Sequence, residues 1–186
     1  KKLYSIESDY CSNITLLYSM KEPLHELSQI DSAGQILRIT VDPAFRVPYA
    51  VILYKSNIES GLKAKVTDGH GGNFSGLLDI EVNQKMSNQF VDSIFTVVER
   101  LNFYELPEQV ETNGADGENW RIEYLRNGKY HSIVRWTPTH VGDSATRKLG
   151  ELGVALRDTS KVFNYWAETS DSSVLYKNYI TAANKK

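Results

Sequence analysis

The side chains able to carry proton transfer or charge recognition in this chain concentrate between Asp116 and Pro138. Glu123 and His131 supply a carboxylate and an imidazole, the groups that general acid–base catalysis uses, with Asp116 and Glu118 as further carboxylates. Trp120, Tyr124, Tyr130, Arg135 and Trp136 supply the aromatic and guanidinium groups that anchor protein interfaces. Their use depends on which of them share a face of the element that carries them.

That element reads as a β-hairpin. Asn127-Gly128 lies between two runs rich in β-branched and aromatic residues, and a type I′ turn needs two residues that tolerate positive φ. The turn fixes the register: Arg126 opposes Lys129, Leu125 opposes Tyr130, Tyr124 opposes His131, Ile122 opposes Ile133 and Trp120 opposes Arg135. One face then carries Trp120, Ile122, Tyr124, His131, Ile133 and Arg135, with a cation beside an aromatic at each end, a geometry suited to cation–π contact. The other carries Arg121, Glu123, Leu125, Tyr130, Ser132, Val134 and Trp136. Glu123 and His131 fall on opposite faces, which separates the acid–base pair. Two descriptions fit these residues. They form a half-buried hairpin whose Arg and His are satisfied by neighbours, or a recognition surface with Trp120, Tyr124, Tyr130, His131, Arg135 and Trp136 as binding residues.

Other chemistry finds less support. His25, His70, His131 and His140 lack the i, i+4 or Cys-x-x-Cys company that marks a metal site, so neither a metal nor a cofactor is expected. Cys11 sits in no nucleophile motif, and there is no Gly-x-Ser-x-Gly elbow. The run Asp68-Gly-His-Gly-Gly-Asn-Phe-Ser-Gly76 is a second candidate site, because its glycines let the backbone turn tightly or approach a ligand. An alternating strand pattern follows it rather than a helix, so a phosphate-cradling loop does not fit and a hairpin loop does.

The elements that must position these groups follow from periodicity. Residues 1–34 read as an appended N-terminal segment with a helix-compatible run from Asp9 to Met20. Asn13 and Asn73 open glycosylation sequons, a pattern too short to weigh. From Gln35 the pattern is β: Ile36 to Val41, an Asp42-Pro43 turn, then Phe45 to Tyr54, where Pro48 suggests an edge or a bulge. Leu62, Ala64 and Val66 alternate with Lys63, Lys65 and Thr67, as Leu78, Ile80 and Val82 do with Asp79, Glu81 and Asn83. Paired antiparallel, these strands set Lys63 and Lys65 beside Asp79 and Glu81. Ser87 caps a helix with Phe90, Val91, Ile94, Val97, Val98 and Leu101 at helical spacing, ending near Asn102. Gly142-Asp143 caps a second, from about Ser144 to Arg157, with Ala145, Leu149, Leu152 and Leu156 on one stripe. Strands followed by helix, hairpin and helix predict an α+β fold, an antiparallel sheet with two helices on one face. The domain spans 35–166, and 167–186 is a C-terminal tail with a short helix around Val174 to Ile180.

The chain has 186 residues, 41% hydrophobic and 24% charged, which suits one globular domain. Its formal net charge of −2, with scattered Lys and Arg, removes the electrostatic footprint of a nucleic-acid binder. No apolar run approaches the roughly 18 residues of a spanning helix. A lone cysteine permits a cytosolic or a periplasmic location alike, and the opening Lys1-Lys2 fits a trimmed chain or an arbitrary boundary, so the location stays open, with a periplasmic or secreted one favoured over a cytoplasmic one.

Asp116-Gly117-x-x-Trp120-x-x-Glu123, followed by Gly128-x-Tyr130-His131-x-x-x-Arg135-Trp136-x-Pro138, resembles the signature of a widespread group of small bacterial proteins with no assigned activity. Leu62-Lys-Ala-Lys-Val66 leading into Gly71-Gly72 and Gly76 resembles the same group, and the likeness covers roughly residues 35 to 158. It implies a shared fold and no catalytic residue. Because the sequence lacks a convergent catalytic set and concentrates aromatic and basic groups on the hairpin, the expected function is a non-enzymatic protein that binds another macromolecule, most simply a protein, with that surface as its anchor, as an accessory or immunity factor of a bacterial envelope or toxin system. The alternative is a small hydrolase-like enzyme using His131, with Glu123 or His70 as its second acid–base group.

Overall fold

The computed structural model describes residues 34–72, 74–110, 114 and 116–169. The readings of the N-terminal segment, Cys11, the Asn13 sequon, His25, Asn73 and the helix near Val174 lie outside these residues. Four strands come first: β1 (Gln35–Pro43), β2 (Tyr49–Lys55), β3 (Ser60–Thr67) and β4 (Leu78–Lys85). Helix α1 (Asn88–Arg100) leads through a 3₁₀ turn at Phe103–Glu105 into the hairpin β5 (Glu118–Arg126) and β6 (Lys129–Trp136). Helices α2 (Ser144–Ser160) and α3 (Val162–Thr169) follow. The strands form one antiparallel sheet in the order β4-β3-β2-β1-β5-β6. This is the α+β architecture that the order of patterns predicts.

The hairpin turns where the sequence places it. Asn127 and Gly128 take φ of 50° and 74°, and β5 pairs with β6 as Trp120↔Arg135, Ile122↔Ile133 and Tyr124↔His131. Strand β1 inserts beside β5 with Ile39 opposite Ile122 and Arg38 opposite Glu123, so the hairpin is joined to the four-stranded unit through its first strand.

One face of the sheet holds the main core: Leu37, Ile39, Val51, Leu53, Leu62, Trp120, Ile122 and Ile133 cluster with Val91, Phe95 and Val98 of α1 and Leu149, Leu152 and Leu156 of α2. Each such large apolar side chain stabilises by roughly 1.5–3 kcal/mol on burial. Ser87 caps α1 by accepting from the Phe90 N–H at 3.2 Å, and Asp143 caps α2 from the Thr146 N–H at 2.7 Å. The opposite face is mixed. Arg38, Thr40, Lys65, Thr67 and Glu123 are buried there beside a small apolar group of Ile36, Ile52 and Leu125.

Three local expectations change. Strand β2 is interior, not an edge; Pro48 stands just before it, where its missing N–H removes no ladder bond and its carbonyl accepts from Thr67 N at 3.2 Å. Lys65 opposes Glu81 and Lys63 opposes Asn83, but an irregularity between Val66 and Thr67 takes Asp79 out of that ladder, and its carboxylate accepts from Trp166 Nε1 at 3.1 Å. The chain after Val162 is a third helix on the core face, with Val162 and Trp166 buried one turn apart.

Candidate functional site

The hairpin residues divide by face. Trp120, Tyr124 and Arg135 are core, with Trp120 only 1% exposed. The indole lies against α2, where a β-carbon at Gly153 would stand 2.4 Å from its Cζ3, and its Nε1 donates to Glu118 at 2.9 Å. Tyr124 donates to Glu99, which also holds Arg126, and burial followed by the Glu99 charge pushes its phenol pKa upward. Arg135 does not stack on Trp120. Its Nη2 donates to Pro107 O at 2.8 Å and its Nη1 to Val134 O at 2.8 Å, while burial pulls the guanidinium pKa down against the pull of Asp143. These three tie the loop after α1 and helix α2 to the sheet, so they cannot anchor a partner from outside.

The remaining expected binding residues also have internal work. His131 is half-buried and donates from Nε2 to Leu106 O at 2.8 Å, its ring edge-on to Phe103 at 5.6 Å. Trp136 backs onto Gly114 and Gly117, where a β-carbon would fall 2.1 and 2.3 Å from the indole. Tyr130, 37% exposed, donates to Glu123 Oε1 at 2.7 Å, and burial together with that carboxylate raises its phenol pKa. Glu123 is gripped by Arg38, Nε at 2.6 Å and Nη2 at 2.8 Å. Glu123 and His131 thus lie on opposite faces with separate partners, and the structure does not bring them together as an acid–base pair. His70 sits in the glycine loop, its ring tilted 34° against that of Phe74 at 4.8 Å.

A cleft among the described residues lies at one end of the sheet, where loops converge. Gly71 adopts φ 79° and packs so closely on the 43–46 turn that a β-carbon would stand 1.9 Å from Pro43 O; the neighbouring Gly72 N–H donates to that carbonyl at 2.9 Å. Ala44 N–H donates to Gly117 O at 2.9 Å, drawing in the start of β5. Against these loops the end of α2 and α3 complete a cleft of about 350 Å³ lined by Pro43, Arg46, Val47, Tyr49, Glu118, Arg157, Asp158, Phe163 and Trp166. Its floor is aromatic: Tyr49 meets Phe163 edge-on at 5.2 Å, and Phe163 meets Trp166 at 6.3 Å. Its rim carries two ion pairs, Arg46 with Glu118 at 3.6 Å and Arg157 with Asp158 at 2.8 Å. Burial pushes the Tyr49 phenol pKa up, with Arg157 opposing, so Tyr49 stays a neutral donor.

The same loops hold large apolar side chains in water, Phe45 at 66% and Phe74 at 53% exposure, and Leu77 and Tyr165 are exposed as well. Aromatic faces, guanidiniums and a neutral phenol around a concavity have the chemistry to take an apolar side chain and to hydrogen-bond carbonyls or carboxylates next to it. Sequence reasoning missed the contributors from 43–49 and 157–166. Phe45 and Arg46 lie in a run that reads as strand, while the spacing of Val162, Phe163 and Trp166 carries a helical signal. Among the described residues no group of three or more His, Cys, Asp or Glu could hold a metal, and no helix is long and apolar enough to cross a membrane. No protein-family model matches this chain, and no curated protein matches it.

Proposed function

We propose that this chain is a non-enzymatic binding protein whose partner is another protein, captured at the loop end of the sheet. The carrying observation is the pair of exposed phenylalanines, Phe45 and Phe74, on two loops joined by the Gly72 N–H to Pro43 O bond, the first of which also contributes Pro43, Arg46 and Val47 to a cleft with Arg157 and an aromatic floor. Exposed apolar patches rimmed by charge mark interaction sites, and aromatic and Arg side chains dominate their energetics. The site proposed here replaces the hairpin surface, whose anchors are used inside the fold. An accessory or immunity factor of a bacterial envelope or toxin system is the form we assign to this role.

The test uses the full chain as bait, with cross-linking to locate contacts and reconstitution with the purified partner. Cross-links are expected at 43–47 and 68–77. Phe45→Ala with Phe74→Ala should weaken the reconstituted complex by at least about 30-fold, as loss of a hot spot does, while Tyr130→Ala should leave it intact. An unchanged affinity in the double variant, with a wild-type melting curve, would overturn the assignment.

A further inference from the structure

The two edges of the sheet are finished differently. At β6 the chain from the preceding loop adds a bridge, Gln109 beside Val134, and Val134 N–H donates to Glu108 O at 2.7 Å. At β4 no segment among the described residues pairs with the outer side. Met86 donates to Ser60 O next to β3, so by the antiparallel alternation the even-numbered residues of β4 direct their backbone groups at β3, and Glu81, Asn83 and Lys85 direct theirs outward. Such an edge is a template for another strand.

Edges that stay solitary are often guarded by like charges, which repel a copy. This one carries opposite charges four residues apart, Glu81 and Lys85, both exposed and on the same face. An antiparallel second copy turned about a two-fold axis at Asn83 sets Glu81 against Lys85 of the second copy, and by symmetry Lys85 against its Glu81. On the core side the same register sets Ile80 against Met86 and Val82 against Gln84. Ile80, Val82 and Met86 are only partly buried and already pack on the core, so the pairing extends an existing apolar layer. Moving the axis to Glu81 would instead set two carboxylates face to face. We infer that β4 is a self-complementary edge through which two copies of this chain join into one continuous sheet.

Sedimentation equilibrium of the full chain over a range of micromolar concentrations at low salt tests this. The wild type should sediment as a monomer–dimer equilibrium. Lys85→Glu makes both cross-strand pairs repulsive and should raise the dimer dissociation constant by at least about tenfold, without moving the melting temperature measured at concentrations where the wild type is monomeric, since Lys85 is exposed. Glu81→Lys should do the same, its fold checked by melting because Lys65 lies 3.4 Å from the carboxylate. An equimolar mixture of the two variants restores both pairs and should dimerise again. A wild type that stays monomeric throughout, or a Lys85→Glu variant that dimerises as well as wild type, overturns the inference.

Discussion

At the scale of single residues, the side chains with the richest chemistry are consumed by the fold. The Trp120 ring fills the space that Gly153 leaves open on α2. Trp120→Ala should therefore cost about 3–5 kcal/mol by emptying a core site. Gly153→Ala should cost about 1–3 kcal/mol by overpacking it. Because both changes act on one contact, denaturant melts of the double variant should show a cost smaller than the sum, with Gly153→Ala partly refilling the cavity; strict additivity would show that the two sites are independent. Glu123 faces a different balance. A buried ion pair adds little net stability over an apolar pair, yet removing one partner is expensive, so Glu123→Ala, which deprives buried Arg38 of its carboxylate, should cost about 3–5 kcal/mol. A loss under about 1 kcal/mol in urea unfolding would show that the pair is not the anchor between β1 and β5.

At the scale of elements, caps and turns decide where helices and loops begin. Asp143 takes hydrogen bonds from the Thr146 and Ala145 backbone N–H groups, which hold its carboxyl below the usual range, the Thr146 bond contributing most. A carboxyl whose folded pKa lies below its unfolded value contributes fully above the unfolded pKa and loses that contribution as pH falls through the folded one. Asp143→Ala should thus be less stable than wild type by ~1 kcal/mol near neutral pH. The gap in melting temperature should hold from neutral pH down to about 4 and narrow below that as pH falls through the folded pKa, and a gap independent of pH would rule out the charged cap. Gly71 plays the same positioning part for the candidate site: a side chain there must displace Pro43 O. Gly71→Ala should lower the melting temperature and weaken partner capture together, because it moves the loop that carries Phe74 relative to Phe45.

At the scale of the whole molecule, β1 makes one body of the hairpin and the four-stranded unit, since it pairs with β2 on one side and β5 on the other. The loop after α1 is not a hinge between halves: Arg135 holds Pro107 O, and Val134 N–H holds Glu108 O. Unfolding should be a single cooperative transition by near- and far-UV circular dichroism alike. Two separated transitions, or two stable fragments from limited proteolysis near residues 106–117, would break that unity.

Local rules fix what is local. The register of β5 and β6 follows from Asn127-Gly128 because only such a pair accepts two positive φ values in succession, and the caps at Ser87 and Asp143 follow from orphan N–H groups that any helix start must satisfy. The α+β class follows from period-2 runs giving way to period-3.6 runs. None of this says which face of a strand meets water. Trp120 and Arg135 read equally well as anchors for a partner or as core and clamp, and the choice was made by α2 and the 106–110 loop, which pack over their face from distant parts of the chain. The cleft is likewise tertiary: its walls come from 43–49, 118 and 157–166, joined by backbone hydrogen bonds and aromatic contacts between segments that sequence spacing leaves unrelated. Turns and caps are encoded by neighbours a few residues apart, whereas burial and concavity depend on which segments the whole chain brings together.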